Sequence, residues 1–164
     1  MTYQAQYDSP LGMLTITSNG ESLKELRFSD TPIEVSSPTV PILEEIRRWL
    51  DCYFNGEKPD LTPQVAPFGT LFQRRVWFEL MDIPYGQTTT YGDIARRIGC
   101  KSAQAVGGAV GRNPIAIIIP CHRVVGSDGS LTGYAYGFER KSQLLLLESG
   151  KRINVSTYQH GIKS

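Results

Sequence analysis

The 164-residue sequence predicts an α/β region followed by an α-rich one. Three observations carry that prediction. Alternating apolar and polar stretches around Tyr3–Tyr7, Met13–Thr17 and Leu23–Phe28 describe short antiparallel strands, with Asn19-Gly20 as a two-residue hairpin signal between the last two. Ile42, Leu43, Ile46, Trp49, Leu50, Tyr53 and Phe54 recur at helical spacing up to Gly56, one amphipathic helix to cover that sheet. Further on, a helix from Tyr91 to Ile98, closed by Gly99, is followed at once by another from Ser102 to about Gly111. That is helix-turn-helix spacing.

Between the regions, Pro59, Pro63 and Pro67 interrupt a segment that can hold neither a helix nor a central strand. The charge balance changes sign at the same place. Residues 1–65 carry five basic side chains against ten acidic, a net of −5, and residues 66–164 carry twelve against six, a net of +6. Two small domains follow, 1–66 and 67–164. The basic half is biased towards a polyanion.

In the second half, Thr70-Leu-Phe-Gln73 is a capping-box pattern ahead of Phe72, Val76, Trp77 and Leu80, and Pro84-Tyr-Gly86 ends that helix. The helix Ser102–Gly111 is nearly bare of large side chains. Its glycines cost helix propensity, in return for either close helix packing or close approach to a nucleic-acid groove. Ile115–Ile119 is a short apolar run that reads as a buried strand stopped by Pro120, with Cys121 and His122 at its end. Gly126–Gly129 is a turn, Gly133–Gly137 a loop with two tyrosines, and Phe138–Ser149 a last helix closed by Gly150. The segment from Lys151 onward shows no periodicity.

Composition narrows the function classes. No apolar run approaches the ~20 residues a bilayer needs, and the start, Met-Thr-Tyr-Gln-Ala-Gln-Tyr, has no basic-then-apolar leader, so a cytoplasmic protein without a membrane partner is expected. Three widely spaced cysteines (Cys52, Cys100, Cys121) and two histidines (His122, His160) build neither a disulfide framework nor a tetrahedral zinc site, so no metal is expected. Cys52 and Cys100 read as structural. A free cysteine is more often a small buried hydrophobe than a nucleophile, but a proline-terminated strand end and a neighbouring imidazole able to take the thiol proton favour the nucleophile here. Because consecutive strand side chains point to opposite faces, Cys121 and His122 can cooperate only where Pro120 breaks the strand or water bridges them. A carboxylate would then be needed to fix the histidine tautomer.

The residues around the pair carry a resemblance. Ile119-Pro-Cys-His-Arg-Val-Val125, preceded by Asn113-Pro and followed by Gly133-Tyr, resembles the active-site signature of the O6-alkylguanine-DNA alkyltransferases, the methylated-DNA–protein-cysteine methyltransferases. Gly69–Trp77, Ile83–Gly86, Thr90-Tyr91-Gly and Ala105–Ala109 resemble further motifs of the same family in the same order. The resemblance is strong over residues 66–150 and one of general layout before that.

It implies an N-terminal ribonuclease-H-like α/β domain packed on a C-terminal winged-helix domain, which docks its second helix in the DNA minor groove. That groove is only about 6 Å wide, which suits a helix of small residues. The target nucleotide is flipped into a pocket. The resemblance further implies single-turnover transfer of the alkyl group from O6-alkylguanine, and from O4-alkylthymine as a further substrate, to Cys121, without a cofactor. His122 is then the water-bridged base, Glu148 its orienter, and Tyr91 the hydroxyl that meets the guanine. Asn113 matches a hinge asparagine, and the carbonyl groups near Cys121 and Val124, with the loop Tyr134–Ala135–Tyr136, meet the base. Gln73, Gly92, Ser102, Ala103, Gln104, Ala105 and Ser127 fall on DNA-contacting positions. The implied partner is double-stranded DNA containing O6-alkylguanine, bound by a monomer.

Two positions depart from the family pattern. Gln104 stands where an arginine usually enters the duplex, and Tyr136 where a glycine usually borders the alkyl pocket. A damage sensor that binds without repairing is therefore an alternative, and a Cys-His hydrolase a third. Alkyltransferase-like proteins without activity carry tryptophan at the nucleophile position, where this chain has Cys121.

Overall fold

Strands β1 (Tyr3–Ser9), β2 (Gly12–Ser18) and β3 (Leu23–Phe28) pair antiparallel in sequential order. They belong to a computed structural model that describes residues 1–34, 39–131 and 133–150. Leu14 and Ile16 of β2 face Phe28 and Leu26 of β3, all of them buried. The β2–β3 connection is four residues long rather than two. Asn19 Oδ1 accepts the amides of Glu21 and Ser22 at 2.9 and 2.8 Å, which closes a wider turn through Gly20 at φ +100°. Helix α1 (Pro41–Phe54) starts with proline at a position that needs no amide, and buries Ile42, Leu43, Ile46, Leu50 and Tyr53.

The outer edge of β3 joins the two halves of the chain. Leu23 bonds the proline-spaced segment through Gln64 and Ala66 (2.8 and 2.9 Å), and Leu26 bonds Pro114 and Ala116 (2.9 and 2.8 Å). An edge that would otherwise expose unpaired amides is thereby covered from two places.

Helix α2 (Leu71–Met81) begins with the expected reciprocal cap: Thr70 accepts from the Gln73 amide, and Gln73 Oε1 accepts from the Thr70 amide. A two-residue β4 (Thr89–Thr90), not foreseen from the sequence, leads into α3 (Tyr91–Arg97), capped by the Thr90 side chain. Gly99, at φ +70°, reverses the chain into α4 (Ala103–Gly111), which is capped by Ser102. Strand β5 (Val124–Val125) pairs parallel with β4, and α5 (Phe138–Glu148) closes the described chain. The buried apolar side chains of both halves form one continuous core.

Residues 115–119 are not a strand. Only Ile115 forms a bridge, to Leu26; the chain then turns tightly through Ile117, a non-glycine residue at φ +69°. The reason is Asn113: its amide donates to the carbonyls of Ile115 and Ile119 (3.0 and 2.8 Å) and its oxygen accepts the Ile115 amide (3.0 Å). A side chain satisfies groups that a neighbouring strand would otherwise have to pair. Among the described residues, no helix is long and apolar enough to cross a membrane. The stretch from Lys151 lies outside the described residues.

Candidate active site and nucleic-acid interface

The tight turn of residues 115–119 delivers Pro120, and Cys121–Arg123 follow as one 3₁₀ turn. At three residues per turn, consecutive side chains diverge by roughly 120° instead of the near-opposition of a strand. The geometric objection to Cys121 and His122 sharing a site is thus removed by the backbone. Cys121 is only 5% exposed. Burial pushes its thiol up to about 11, against the opposing pull of the Asn113 side chain and the Lys141 ammonium. At rest it is a protonated thiol that needs a base.

Glu148, at the end of α5, receives five donors. His122 Nε2 lies 2.6 Å from Oε2; Arg123 reaches Oε1 with Nε (2.8 Å) and Oε2 with its terminal nitrogen (3.1 Å). The Tyr53 hydroxyl donates to Oε2 at 2.6 Å and the Gly86 amide to Oε1 at 3.2 Å. Burial alone would raise the Glu148 carboxyl, but the bonds and charges of His122 and Arg123 outweigh it and hold the group well below the usual carboxylate range. Burial pushes His122 down against the raising influence of Glu148. An ionised carboxylate only accepts, so the neutral imidazole carries its proton on Nε2 and leaves Nδ1 as an acceptor. That Nδ1 is buried, with no hydrogen-bond partner among the described residues.

Tyr91, at the start of α3, reaches the same region: a Cβ on Gly133 would stand 2.6 Å from its hydroxyl, and one on Gly107 3.7 Å from its ring. Burial and the Cys121 charge raise its phenol above the ordinary value. Beyond it, Tyr134 and Tyr136 meet edge to face at 5.7 Å, and Tyr136 meets Phe28 of β3 the same way at 5.2 Å. Ala135 is exposed between them. The Val124 carbonyl, expected to face a base, accepts Lys141 Nζ at 2.5 Å. Lys141 is fully buried.

Ser102, Ala103, Gln104 and Ala105 form the exposed first turn of α4. Gln73 and Ala105 line one shallow depression with Gly108 and Arg112. A Cβ on Gly107 would make ordinary contact with the Tyr91 ring at 3.7 Å, and one on Gly108 or Gly111 would meet nothing within 4 Å, so close packing does not require glycine at these positions. Gly92 is half-buried in α3, and Ser127 sits apart on the exposed turn after β5.

Arg123, Tyr53, Gly86 and Lys141 were not singled out from sequence. Arg123 had a signal, its place in Cys-His-Arg. Tyr53 had none, because it reads as one more apolar member of the α1 face, 95 positions from its partner.

Two family models match: the ribonuclease-like domain of 6-O-methylguanine DNA methyltransferase over residues 2–67, and its DNA-binding domain over residues 71–150. A methylated-DNA–protein-cysteine methyltransferase of Methanosarcina acetivorans is 47% identical over 152 residues, 89% of this chain and 97% of the relative. One of Haemophilus influenzae is 42% identical over 94% of this chain and 90% of its own. Among solved structures, Mycobacterium tuberculosis OGT in complex with DNA superposes with a TM-score of 0.86 at 41% identity, covering 96% of this chain and 99% of that one.

Proposed function

Because this chain belongs to the 6-O-methylguanine DNA methyltransferase family, we propose that it is a single-turnover DNA repair enzyme moving the alkyl group of O6-alkylguanine to its own Cys121. The single observation that carries the assignment of residues is the buried His122–Glu148 pair, whose histidine shares one 3₁₀ turn with Cys121. His122 Nδ1 accepts the thiol proton through a bridging water, while Nε2–H donates to Glu148, whose fixed negative charge stabilises the imidazolium that forms. The thiolate attacks the alkyl carbon in line; the S–C bond forms as the C–O6 bond breaks, and the electron pair leaves with guanine. The Tyr91 hydroxyl hydrogen-bonds the base and assists that anion. A thioether is stable to water, so each molecule reacts once.

Asn113 holds the turn that presents Cys121, and Val124, Tyr134, Ala135 and Tyr136 border the flipped base. The first turn of α4 and Gln73, with Gly92 of α3 and Ser127 on the separate turn after β5, meet the duplex in the minor groove, and Gln104 occupies the place of the departed nucleotide. The open space over Gly108 and Gly111 supports this reading. The domains divide at residues 66 and 67. O4-alkylthymine is a further substrate of the same pocket, and the protein works as a cytoplasmic monomer.

Stoichiometry tests the function. Incubated with excess duplex carrying labelled O6-methylguanine, the protein is expected to take up one methyl per molecule and stop. Continued turnover would indicate a hydrolase, and tight binding with no uptake a damage sensor.

A further inference from the structure

Tyr53 lies on the last turn of α1, in the ribonuclease-like part of the chain, and is fully buried. Its hydroxyl and His122 Nε2 reach the same Glu148 oxygen at the same distance, 2.6 Å. We propose that Tyr53 is a positioning residue for alkyl transfer, fixing from one domain the carboxylate that orients the proton-accepting imidazole of the other. This rests on the roles proposed above for Cys121, His122 and Glu148, and extends them across the domain boundary.

The donors to Glu148 divide by origin. Arg123 and Gly86 occupy Oε1, and Arg123 touches Oε2 at the longer distance of 3.1 Å. Tyr53 is therefore the short second donor that restrains Oε2, the oxygen facing the imidazole. Packing does not need its hydroxyl: the ring stacks on Trp49 at 5.4 Å and meets Phe54 and Tyr85 edge on at 5.2 and 6.2 Å, contacts a phenylalanine would keep.

The hydroxyl also sets charge. Its hydrogen draws electron density from Oε2 and competes with the imidazole N–H for it. Without it, Oε2 pulls harder on Nε2–H and Nδ1 becomes more basic, so His122 protonates at higher pH. The charged and titratable groups around the pair are Arg123 beside both residues, Tyr85 beside Glu148, Lys141 beside His122 and Tyr134 beside Tyr53. Tyr53→Phe leaves them all in place.

The test is the single-turnover rate of the full chain on O6-methylguanine duplex as a function of pH, for wild type, Tyr53→Phe, and 3-fluorotyrosine incorporated at position 53. The DNA affinity and the ¹⁵N signals of His122 are read alongside. Tyr53→Phe is expected to lower the plateau rate about tenfold, the lower end of what losing an orienting partner costs at metal-bound histidines. It should also move the acid limb to higher pH, with DNA affinity unchanged. The fluorinated hydroxyl, a stronger donor, should move the limb the opposite way; this variant keeps the test open if Tyr53→Phe folds poorly. A slower rate with an unshifted acid limb would make Tyr53 merely structural and overturn the proposal, as would wild-type behaviour in both variants. No transfer to Cys121 in wild type would instead overturn the reading beneath it.

Discussion

The indole Nε1 of Trp77 donates to the carbonyl oxygen of Ala109 at 2.8 Å, a buried bond that ties α2 to α4. Helix α4 has only Val106, Ala109 and Val110 to bury, so this one polar contact fixes much of its orientation. The linker closes over the same ring, since a Cβ on Gly69 would stand 2.4 Å from it.

Trp77→Phe should therefore loosen the proposed DNA-reading helix. Loss of the bond, at about 0.5–1.5 kcal/mol, and of part of a buried ring should destabilise the fold by roughly 2–4 kcal/mol. Thermal unfolding and a duplex titration check this. Weaker duplex binding with an unchanged rate on free O6-alkylguanine is expected.

Glu148→Gln removes the anion that Arg123 and His122 share. Breaking a buried pair costs about 3–5 kcal/mol, and the apparent thiol pKa of Cys121 should rise while transfer slows with little loss of DNA affinity. The sign of the stability effect follows from the depressed carboxyl. Its contribution is complete above the ordinary carboxylate range, near pH ~4.3, and is lost as pH falls towards the depressed native value. Below about pH 4 the variant's unfolding curve should accordingly be flatter than wild type's, as urea titrations across pH would show.

Gln104 is exposed on the first turn of α4. Bonds to charged groups contribute roughly 1.5–3 kcal/mol against about 0.5–1.5 for neutral ones, so Gln104→Arg should stabilise the flipped complex by about 1 kcal/mol. A several-fold faster reaction with duplex and an unchanged rate with free base are the expected outcome; an equal gain on both substrates would remove Gln104 from the flipped complex.

Tyr136 is not a loose ring over the site. Phe28 and Tyr134 hold it edge on, and the Arg27 guanidinium of β3 pulls its phenol down against the larger raising effect of burial. At the alkyl pocket proposed above, a ring fixed in that way would narrow the space, and overpacking typically costs on the order of 1–3 kcal/mol. Tyr136→Gly should raise the rate with O6-benzylguanine far more than with O6-methylguanine in DNA. A fall in benzyl reactivity would mean that the ring instead stacks on the substituent.

The helices were legible because their ends are written locally: Thr70 and Gln73 cap each other, Ser102 caps α4, and Gly99 turns between two helices. The strands of the first sheet were legible by alternation. Ile115–Ile119 misled because an apolar run specifies burial but not backbone path, and the path is set by the side chain of Asn113 just outside it. In the candidate site, the Cys121-His122 pair stood out by itself and the resemblance pointed to Glu148, but the 3₁₀ turn that carries the pair was expected to be a strand end. Tyr53 was illegible for a different reason. Its hydroxyl has meaning only through a partner that the fold brings from the far end of the chain, and helical spacing accounts for its ring without remainder.

The most direct measurement is intact-mass spectrometry followed by peptide mapping after incubation with an O6-methylguanine duplex, with Cys121→Ser in parallel. Wild type is expected to gain the mass of one CH₂ per molecule, on Cys121 alone, and Cys121→Ser to bind the duplex and gain nothing. Modification at Cys52 or Cys100, or an unmodified wild-type protein, would contradict the assignment.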